Sequence, residues 1–536
     1  MEMKEYIRHK KGLFIVGILV TTLTVITESI FALVMREIID SISTQSEALI
    51  LGKLPIYLIY ILVMISFSFI NSMVITKCVQ QIMVKMKSDL FYSLFEYKIE
   101  DYKKKNIGDY ISLFNNDIEM IENDYVFNIF QIYSNILGIV LQIMVALFIN
   151  VRLTLLVMFI GFLILLFPSI FTKPIEKRRE ELLSSYEKMN GSLNNYLNGF
   201  QYIKISQIEN TIEEKWNKFN QNVGNKKYRF SLASNFLNSI LRILSLGVII
   251  TILVLGSFFV VRGSISVGSL VAILQLYSGV FQQAGELAYK INNFSTVKPI
   301  VSKLETYLKY KEDIKDNYLK DINKIEFQNV DFSYDGVTSI LKDVNLSFQK
   351  GKSYAIIGDS ASGKSTLIGM ILQTLHPTNG KILIDGKEYQ EIKPIYEQTA
   401  YISQDIFMFS DTLQFNLFLS DEEKDINIKP LFEAFELNKF LDVDLKQTVI
   451  KEGATNISGG EKQRLSIIRE LLKKKNILLM DEATSNVNSA MSAKIYNYLL
   501  ENNNSMLISV MHNYTESMLE KFDYVIHVED RNVYIR

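Results

Sequence analysis

The stretch Gly358-Asp359-Ser360-Ala361-Ser362-Gly363-Lys364-Ser365-Thr366 decides how the second part of this chain folds. It lies between the apolar run 354–357 and the helix-like run 367–372, which is the strand, loop and helix context of a phosphate-binding loop. Its small residues let successive backbone N–H groups surround phosphate oxygens at the positive end of a helix dipole. Lys364 supplies a positive charge for the outer phosphates, and Ser365 offers a hydroxyl to an accompanying Mg²⁺. The sequence therefore predicts a nucleotide-binding α/β domain.

Two carboxylates follow an apolar strand further along the chain. The strand reads Asn476-Ile477-Leu478-Leu479-Met480 and is followed by Asp481 and Glu482. Acidic residues at the carboxyl end of a buried parallel strand emerge at the ligand-binding edge of the sheet. We expect Asp481 to hold Mg²⁺ through water, and Glu482 to orient and deprotonate an attacking water molecule.

The first part of the chain has a different composition, with long apolar runs up to about Tyr289. Six segments reach the roughly 20 residues that a bilayer requires; they are 12–35, 54–76, 126–149, 153–171, 236–261 and 267–289. Basic residues precede the first span and occupy the two long loops, at 103–105 and 177–179, so the positive-inside rule predicts a cell-membrane protein with both termini in the cytosol. The predicted domains are a membrane domain at 1–305, a linker at 306–324 and the α/β domain at 325–536.

The two long loops retain helical periodicity, which predicts that the membrane helices continue into the cytosol. Glycine and aromatic residues occur together at 108–114 and at 197–203 within these loops. Each segment is either a short helix that docks on the nucleotide-binding domain or a simple turn of a helical hairpin.

The sixth predicted span carries polar residues on one helical face. These residues are Gln275, Gln282, Glu286, Tyr289 and Asn293. Because polar groups inside a membrane are costly, this face either lines a hydrated pathway or forms a hydrogen-bonded seam between helices. Glu28, in the first span, is a second ionisable candidate, with pairing to a neighbouring helix as the alternative.

Charge and cysteine content exclude several classes of function. The net charge of −1 over 536 residues gives no indication of nucleic-acid binding. The single cysteine, Cys78, has no second thiol with which to form a disulfide or a metal cluster.

The string Ile457-Ser458-Gly459-Gly460-Glu461-Lys462-Gln463-Arg464 resembles the L-S-G-G-Q signature of ATP-binding cassette (ABC) transporters. Together with the six predicted spans and one cassette, it makes the whole chain similar to a half-transporter of the exporter type. The resemblance implies an adenine-stacking Tyr334, a Gln404 that senses Mg²⁺ and the attacking water, and a His512 that contacts the γ-phosphate. It also implies that Ser458, Gly459, Gly460 and Glu461 complete the ATP site of a second chain.

The resemblance therefore implies an ATPase that works as a dimer and exports an amphipathic substrate such as a peptide, with lipids and drugs as other cargoes. A homodimer is favoured over a heterodimer because the essential motifs are all present. The alternatives are an importer built on the same fold and a weakly active regulatory protein. There are three departures from the usual pattern: Asn488 stands in place of Asp, Glu461 stands in place of Gln, and the histidine segment has Met511 and Asn513 on either side of His512.

Overall fold

The computed structural model describes residues 3–43, 47–166, 172–310, 317–422, 426–502 and 504–536. It forms two compact units. The first comprises Met1–Phe95 and Asn106–Tyr310, and the second comprises Glu96–Lys105 and Lys311–Arg536. The predicted domain boundaries at 305 and 325 remain predictions, and residues 311–316 of the predicted linker lie outside the described residues.

The first unit is helical. Its helices are α1 (Met3–His9), α2 (Lys11–Ser43), α3 (Glu47–Phe95), α5 (Ile107–Ser112), α6 (Ile118–Ile121), α7 (Asn128–Ile149), α8 (Val151–Leu166), α9 (Thr172–Asn198), α10 (Phe200–Ile205), α11 (Glu209–Val261) and α12 (Val267–Lys309), while the short helix α4 (Ile99–Lys103) belongs to the second unit. Two π-helical turns, Leu113–Asp117 and Glu122–Phe127, connect α5, α6 and α7. The length of α3, α11 and α12, at 49, 53 and 43 residues, agrees with the prediction that helices extend well beyond the membrane.

Four segments of the described chain are long and apolar enough to cross a membrane: Lys11–Ser43, Leu51–Phe95, Ile107–Ile149 and Glu209–Val261. A shorter apolar helix covers Val151–Gly161 and overlaps the first part of the predicted fourth span, 153–171, whose end at 167–171 lies outside the described residues. The predicted sixth span coincides with the start of α12, whose polar residues lower its hydropathy. A multi-pass helical membrane region is therefore present, and the number six stays a prediction.

One of the two expected docking segments is placed wrongly. Residues 108–114 lie inside a run of helix, because Asn106 N donates to Asp109 Oδ2 at 3.1 Å and the two residues form a capping box that begins α5. The chain turns earlier, on either side of α4. At the second segment the helix breaks at Gly199 and the short α10 follows, so a turn is present there, and docking on the α/β domain stays a prediction.

The polar residues of α12 divide into two groups. Asn293 Nδ2 donates to Asp124 Oδ1 at 3.0 Å, and this bond joins α12 to the π-helical turn before α7. Gln282 and Glu286 are exposed in the single chain and bond to each other at 3.0 Å. A seam between helices therefore accounts for the inner end of the polar face, while the hydrated-pathway prediction stays open for its middle. Glu28 is also exposed.

The second unit contains two sheets and confirms the predicted α/β fold class. The strands are β1 (Lys324–Ser333), β2 (Ser339–Gln349), β3 (Ser353–Gly358), β4 (Asn379–Ile384), β5 (Lys387–Glu388), β6 (Thr399–Ile402), β7 (Ile477–Asp481), β8 (Met506–Val510), β9 (Tyr524–Glu529) and β10 (Asn532–Ile535). The described helices are α13 (Lys364–Ile371), α14 (Leu413–Phe418), α15 (Lys429–Ala434), α16 (Gly459–Leu472), α17 (Ser489–Asn502) and α18 (Glu516–Leu519). One sheet is antiparallel in the order β2-β1-β4-β5, and the other is mostly parallel in the order β10-β9-β3-β8-β7-β6.

Strands β3, β7 and β8 are apolar over nearly their whole length, and almost every residue in them is buried. Continuous burial is what a parallel strand shows when both faces of the sheet are covered. A hydrophobic cluster lies on each face: one includes Ile356 and Ile508, and the other includes Ile357 and Leu507. Neighbouring residues of a strand thus pack into opposite clusters, which fixes the register of the sheet.

Candidate nucleotide-binding site

The predicted site residues lie at the carboxyl ends of four neighbouring parallel strands. In the pairing of β3, β8 and β7, Ile356 and Asp481 both lie opposite Val510, and Ile402 of β6 lies opposite Met480. The phosphate-binding loop leaves β3, His512 follows β8, Glu482 follows β7 and Gln404 follows β6. Sheet register alone therefore brings together side chains that are spread over more than a hundred residues of the sequence.

Backbone conformations of the phosphate-binding loop explain its glycines. Gly358 has a φ of +153° and Gly363 has a φ of +108°. A Cβ atom on Gly358 would lie 2.2 Å from the carbonyl oxygen of Val528, so any side chain there collides with β9. Gly363 stands immediately before α13, and the helix N-terminus therefore faces the loop.

Lys364 is folded into the loop that precedes it. Its Nζ donates to the carbonyl oxygens of Gly358 at 2.9 Å and Asp359 at 2.5 Å. Burial lowers the pKa of Lys364, although the carboxylates of Glu482 and Asp481 favour its charged form. The ammonium group is thus a donor held inside an anion-binding loop, as the sequence predicts.

Ser365 and Asp481 form an oxygen pair suited to Mg²⁺. Ser365 Oγ donates to Asp481 Oδ1 at 3.4 Å, so a hydroxyl and a carboxylate from α13 and β7 lie side by side. Burial raises the pKa of Asp481, and the neighbouring charge of Glu482 adds to the effect. A divalent cation at this place would stabilise the buried charge of Asp481 and offset its repulsion from Glu482. Oxygen atoms are the ligands that Mg²⁺ prefers. The residues present therefore fit the metal.

Glu482 has partners on both sides. Its Oε2 accepts a hydrogen bond from Gln404 Nε2 at 2.8 Å, and its Oε1 lies 3.2 Å from His512 Nε2. The backbone of Glu482 has a φ of +51°, an uncommon conformation for this residue, and its N–H donates to the Val510 carbonyl. The three residues predicted to act on the γ-phosphate and its water are therefore in direct contact.

Tyr334 follows β1 and is 67% exposed, with its ring in an edge contact with Phe332 at 4.8 Å between centroids. Its hydroxyl lies 3.2 Å from Thr366 Oγ1, at the start of α13. An exposed aromatic face beside a phosphate-binding loop suits stacking on an adenine ring, and this role stays a prediction.

The predicted signature begins a helix in the same domain. Ser458 is the N-cap of α16, where its hydroxyl accepts from Glu461 N at 3.3 Å while Glu461 Oε2 accepts from Ser458 N at 2.7 Å. This capping box leaves the N-terminal backbone groups of Gly459 and Gly460 at an exposed helix end.

Comparison with known families decides the identity of this arrangement. Residues 14–284 match the ABC transporter transmembrane region, and residues 341–485 match the ABC transporter domain. This chain belongs to the ABC transporter family. The resemblance predicted from the sequence is therefore confirmed. The predicted class of activity, an ATPase that drives transport, is confirmed as well. An ABC transporter of this kind is embedded in a membrane and binds ATP.

Relatives of this ABC transporter cover nearly its full length. An export ATP-binding/permease protein of Rickettsia typhi is 27% identical over 556 residues, with 99% of this chain and 94% of the relative covered. An ABC transporter ATP-binding protein of Bacillus subtilis is 27% identical over 94% of this chain and 86% of its own length. A bacterial Atm1-family ABC exporter solved with ATP bound has a TM-score of 0.78 at 18% identity, covering 98% of this chain and 94% of its own, which shows a shared fold.

Two contacts of this ABC transporter site do not follow from reading its motifs. Gln463 is fully buried and its Oε1 accepts from Asn486 N at 2.9 Å, which joins the signature helix to the loop after Glu482. Lys439 lies 2.6 Å from Glu461 Oε1. Burial by itself would raise the pKa of Glu461. The hydrogen bonds from Lys439 and from the Ser458 backbone outweigh burial and hold this pKa below its usual value. The extra charge of Glu461 is thereby compensated.

Asn488, the departure from the usual Asp, has a structural role within its own chain. Its Oδ1 accepts a hydrogen bond from Met491 N at 2.8 Å, so it caps α17. Asp and Asn are both strong N-caps, and the substitution therefore keeps the helix while removing a charge. Lys439 had no sequence signal because it lies 22 residues before Glu461 in an irregular segment.

Proposed function

We propose that this ABC transporter is an ATP-driven exporter in which two copies of the chain form two ATP sites. The observation that carries the proposal is the contact of Glu482 with both Gln404 and His512 beside a complete phosphate-binding loop. The exposed N-terminus of α16 supports the dimer, because an anion-binding helix end without a partner in its own chain suits the phosphates held by a second chain. A homodimer is favoured since this chain contains every motif.

In this proposal, the phosphate-binding loop orients ATP, and Ser365 and Asp481 would hold Mg²⁺ next to Lys364. The metal would neutralise charge on the β- and γ-phosphates. Glu482 accepts a proton from the attacking water, Gln404 fixes the orientation of the carboxylate, and His512 donates to the γ-phosphate. Catalysis then consists mainly of positioning and charge neutralisation, since phosphoryl transfer requires little covalent participation from protein groups.

The proposed cargo is an amphipathic molecule, with a peptide as the first candidate and lipids or drugs as alternatives. Support comes from Gln282 and Glu286, which present polar groups on α12 in the midst of apolar helix. The proposed orientation places the α/β domain and both termini in the cytosol, where ATP is available. The relatives described as export proteins favour outward transport over the importer alternative.

The test is the ATPase rate of the full chain in lipid nanodiscs with peptides, neutral lipids and hydrophobic drugs, paired with transport in inverted vesicles. We expect hydrolysis that one cargo class stimulates, and accumulation of that cargo inside the vesicles. Loss of preloaded cargo from the vesicles would contradict export and support the importer alternative. A basal rate that no cargo changes would contradict the exporter and support a regulatory role.

A further inference from the structure

A cavity of about 320 Å³ lies within the membrane domain among α7, α8 and α12. Its walls are mostly aliphatic and aromatic, with Ile143 from α7, Val157 from α8, and Ile273 and Phe281 from α12. This volume and this lining are those of a site for a small organic molecule. Nothing in the ATP chemistry of the chain uses it.

Close helix packing holds one wall of the cavity in place. Helices α7 and α12 contact each other reciprocally: Gln142 of α7 lies on Gly279 of α12, and Gln283 of α12 lies on Gly138 of α7. A Cβ atom on either glycine would come within 2.5 Å of the facing glutamine. On each helix the glutamine and the glycine are four residues apart. The two contacts therefore fix the register of α7 against α12. The cavity is thus bounded by a rigid packing arrangement.

Two buried polar groups at the cavity have no hydrogen-bond partner in the part of the chain that the structure describes. The Tyr277 residue is only 8% exposed, and its hydroxyl oxygen is buried without a partner among the described residues. The Oε1 atom of Gln142 is in the same state, and both side chains line the cavity. Leaving a buried hydroxyl or amide unpaired is costly, so a ligand that pairs with it gains affinity.

The remaining lining restricts what the ligand can be. Thr154 also lines the cavity, but its hydroxyl already donates to the carbonyl oxygens of Ala146 and Asn150. None of the described residues that line the cavity is charged. An ion would be desolvated without compensation, and a water molecule, which needs two to four polar partners, would face mainly hydrocarbon.

We propose that this cavity binds a neutral, predominantly apolar small molecule that carries one hydroxyl group, which can accept a hydrogen bond from the Tyr277 hydroxyl or donate one to Gln142 Oε1. The volume excludes a folded peptide, so this ligand is distinct from a peptide cargo. The site lies within one chain and requires neither ATP nor a transport direction. Its failure would therefore leave the proposed export function untouched, and the reverse also holds.

The experiment is photolabelling of the full chain in nanodiscs, without nucleotide, by a diazirine derivative of octanol, followed by mass spectrometry of the labelled residues. This probe is neutral and apolar and carries a single hydroxyl. We expect saturable labelling of α7 and α12 residues at the cavity, and competition by unlabelled octanol. Labelling that does not saturate, or that is spread evenly over the exposed apolar faces, would overturn the proposal.

Three variants sharpen the test. Gly161→Leu places a side chain into the cavity, because a Cβ at this position would make an ordinary 3.7 Å contact with the Tyr277 ring, and it should abolish saturable labelling. Gly247→Leu, on α11 with open space around its Cβ, is the matched control and should label as wild type does. Elution as a single species in size-exclusion chromatography verifies folding. Wild-type labelling in Gly161→Leu would contradict the assignment.

Tyr277→Phe keeps the ring and removes only the hydroxyl. If the hydroxyl serves the ligand, the variant should bind octanol about 2- to 10-fold more weakly, the effect of one neutral hydrogen bond. Its melting temperature without ligand should be unchanged or higher, because an unpaired buried group is removed. A lower melting temperature with unchanged affinity would show that the hydroxyl is structural and would overturn its role.

Discussion

The ATP site of the cassette and the cavity of the membrane domain both contain buried or half-buried polar groups. The two regions differ in whether these groups have hydrogen-bond partners within the chain. Glu482 has Gln404 and His512 as partners, and Ser458 and Glu461 cap each other. In the membrane cavity, the Tyr277 hydroxyl and Gln142 Oε1 have no hydrogen-bond partner among the described residues. The cassette therefore holds its catalytic groups in place before a ligand arrives, whereas the cavity leaves its hydrogen-bonding capacity for the ligand.

This difference follows from the chemistry that each region performs. Fixed dipoles that need no reorganisation are the main source of catalytic power in a charged reaction. Binding of an apolar molecule depends on excluded water and on a few polar contacts that set orientation. Variants in the cassette and in the membrane domain test this difference.

The largest effect is expected for Glu482→Gln, which keeps the side chain's shape and its contact with Gln404 but removes the base. The ATPase rate should fall by about 10²- to 10⁴-fold, the contribution of a positioned general base, while ATP binding persists. Glu501→Gln, at an exposed position of α17, is the control and should hydrolyse ATP at the wild-type rate. Undiminished hydrolysis in Glu482→Gln would show that the arrangement around this carboxylate has no catalytic role.

Asp40 tests whether the membrane domain also contains a paired polar site. Its carboxylate accepts from Gly268 N at 2.9 Å and from Ser266 Oγ at 2.7 Å, so it caps α12 from the end of α2. Asp40→Ala should lower the stability by about 1 kcal/mol, as loss of a charged cap does. The measurement is thermal unfolding of the full chain in detergent.

Glu37→Ala is the matched control for Asp40→Ala. Glu37 lies one turn earlier on α2, and among the described residues its carboxylate pairs with Lys53 at an exposed position. Exposed ion pairs contribute little, so its melting temperature should stay near that of wild type. An equal decrease of the melting temperature in the two variants would refute the capping role of Asp40. It would also mean that the membrane domain gains no more stability from this cap than from an exposed ion pair.

The smallest effect is expected for Glu461→Gln, which installs the residue that is usual in the signature. Because the pKa of Glu461 is held below its usual value in the folded chain, its charge stabilises the fold above the unfolded pKa, near 4.5, and this contribution is lost as the pH falls through the folded value. The variant should therefore melt slightly below wild type at pH 7, and the gap in melting temperature should narrow as the pH falls below about 4.5. A gap that is constant with pH would exclude the ion pair with Lys439 as its source.

The cassette could be predicted from the sequence because its chemistry follows from local motifs and one rule of sheet geometry. Apolar strands predict a parallel sheet, and a parallel sheet brings the residues after β3, β6, β7 and β8 to a common edge. The contact of Glu482 with Gln404 and His512 needed no further information. The pairing of Lys439 with Glu461 could not be predicted in this way, because it depends on the path that the chain takes around Lys439.

The membrane domain was less predictable because its features depend on how helices pack. The reciprocal contacts of Gln142 with Gly279 and of Gln283 with Gly138 require the register of α7 against α12, which no local pattern contains. The start of α5 is an exception, because Asn106 and Asp109 have the spacing of a capping box, a local pattern that indicates a helix start despite the glycine at 108.

The most direct test of the shared ATP sites is complementation between two inactive chains. One carries Lys364→Ala, the other Gly459→Asp, and each has a different affinity tag so that mixed dimers can be purified after co-expression. If each site combines the phosphate-binding loop of one chain with the signature of the other, a mixed dimer has one intact site and should show about half of the wild-type ATPase rate, while both parents stay inactive. A mixed dimer as inactive as its parents would contradict the account.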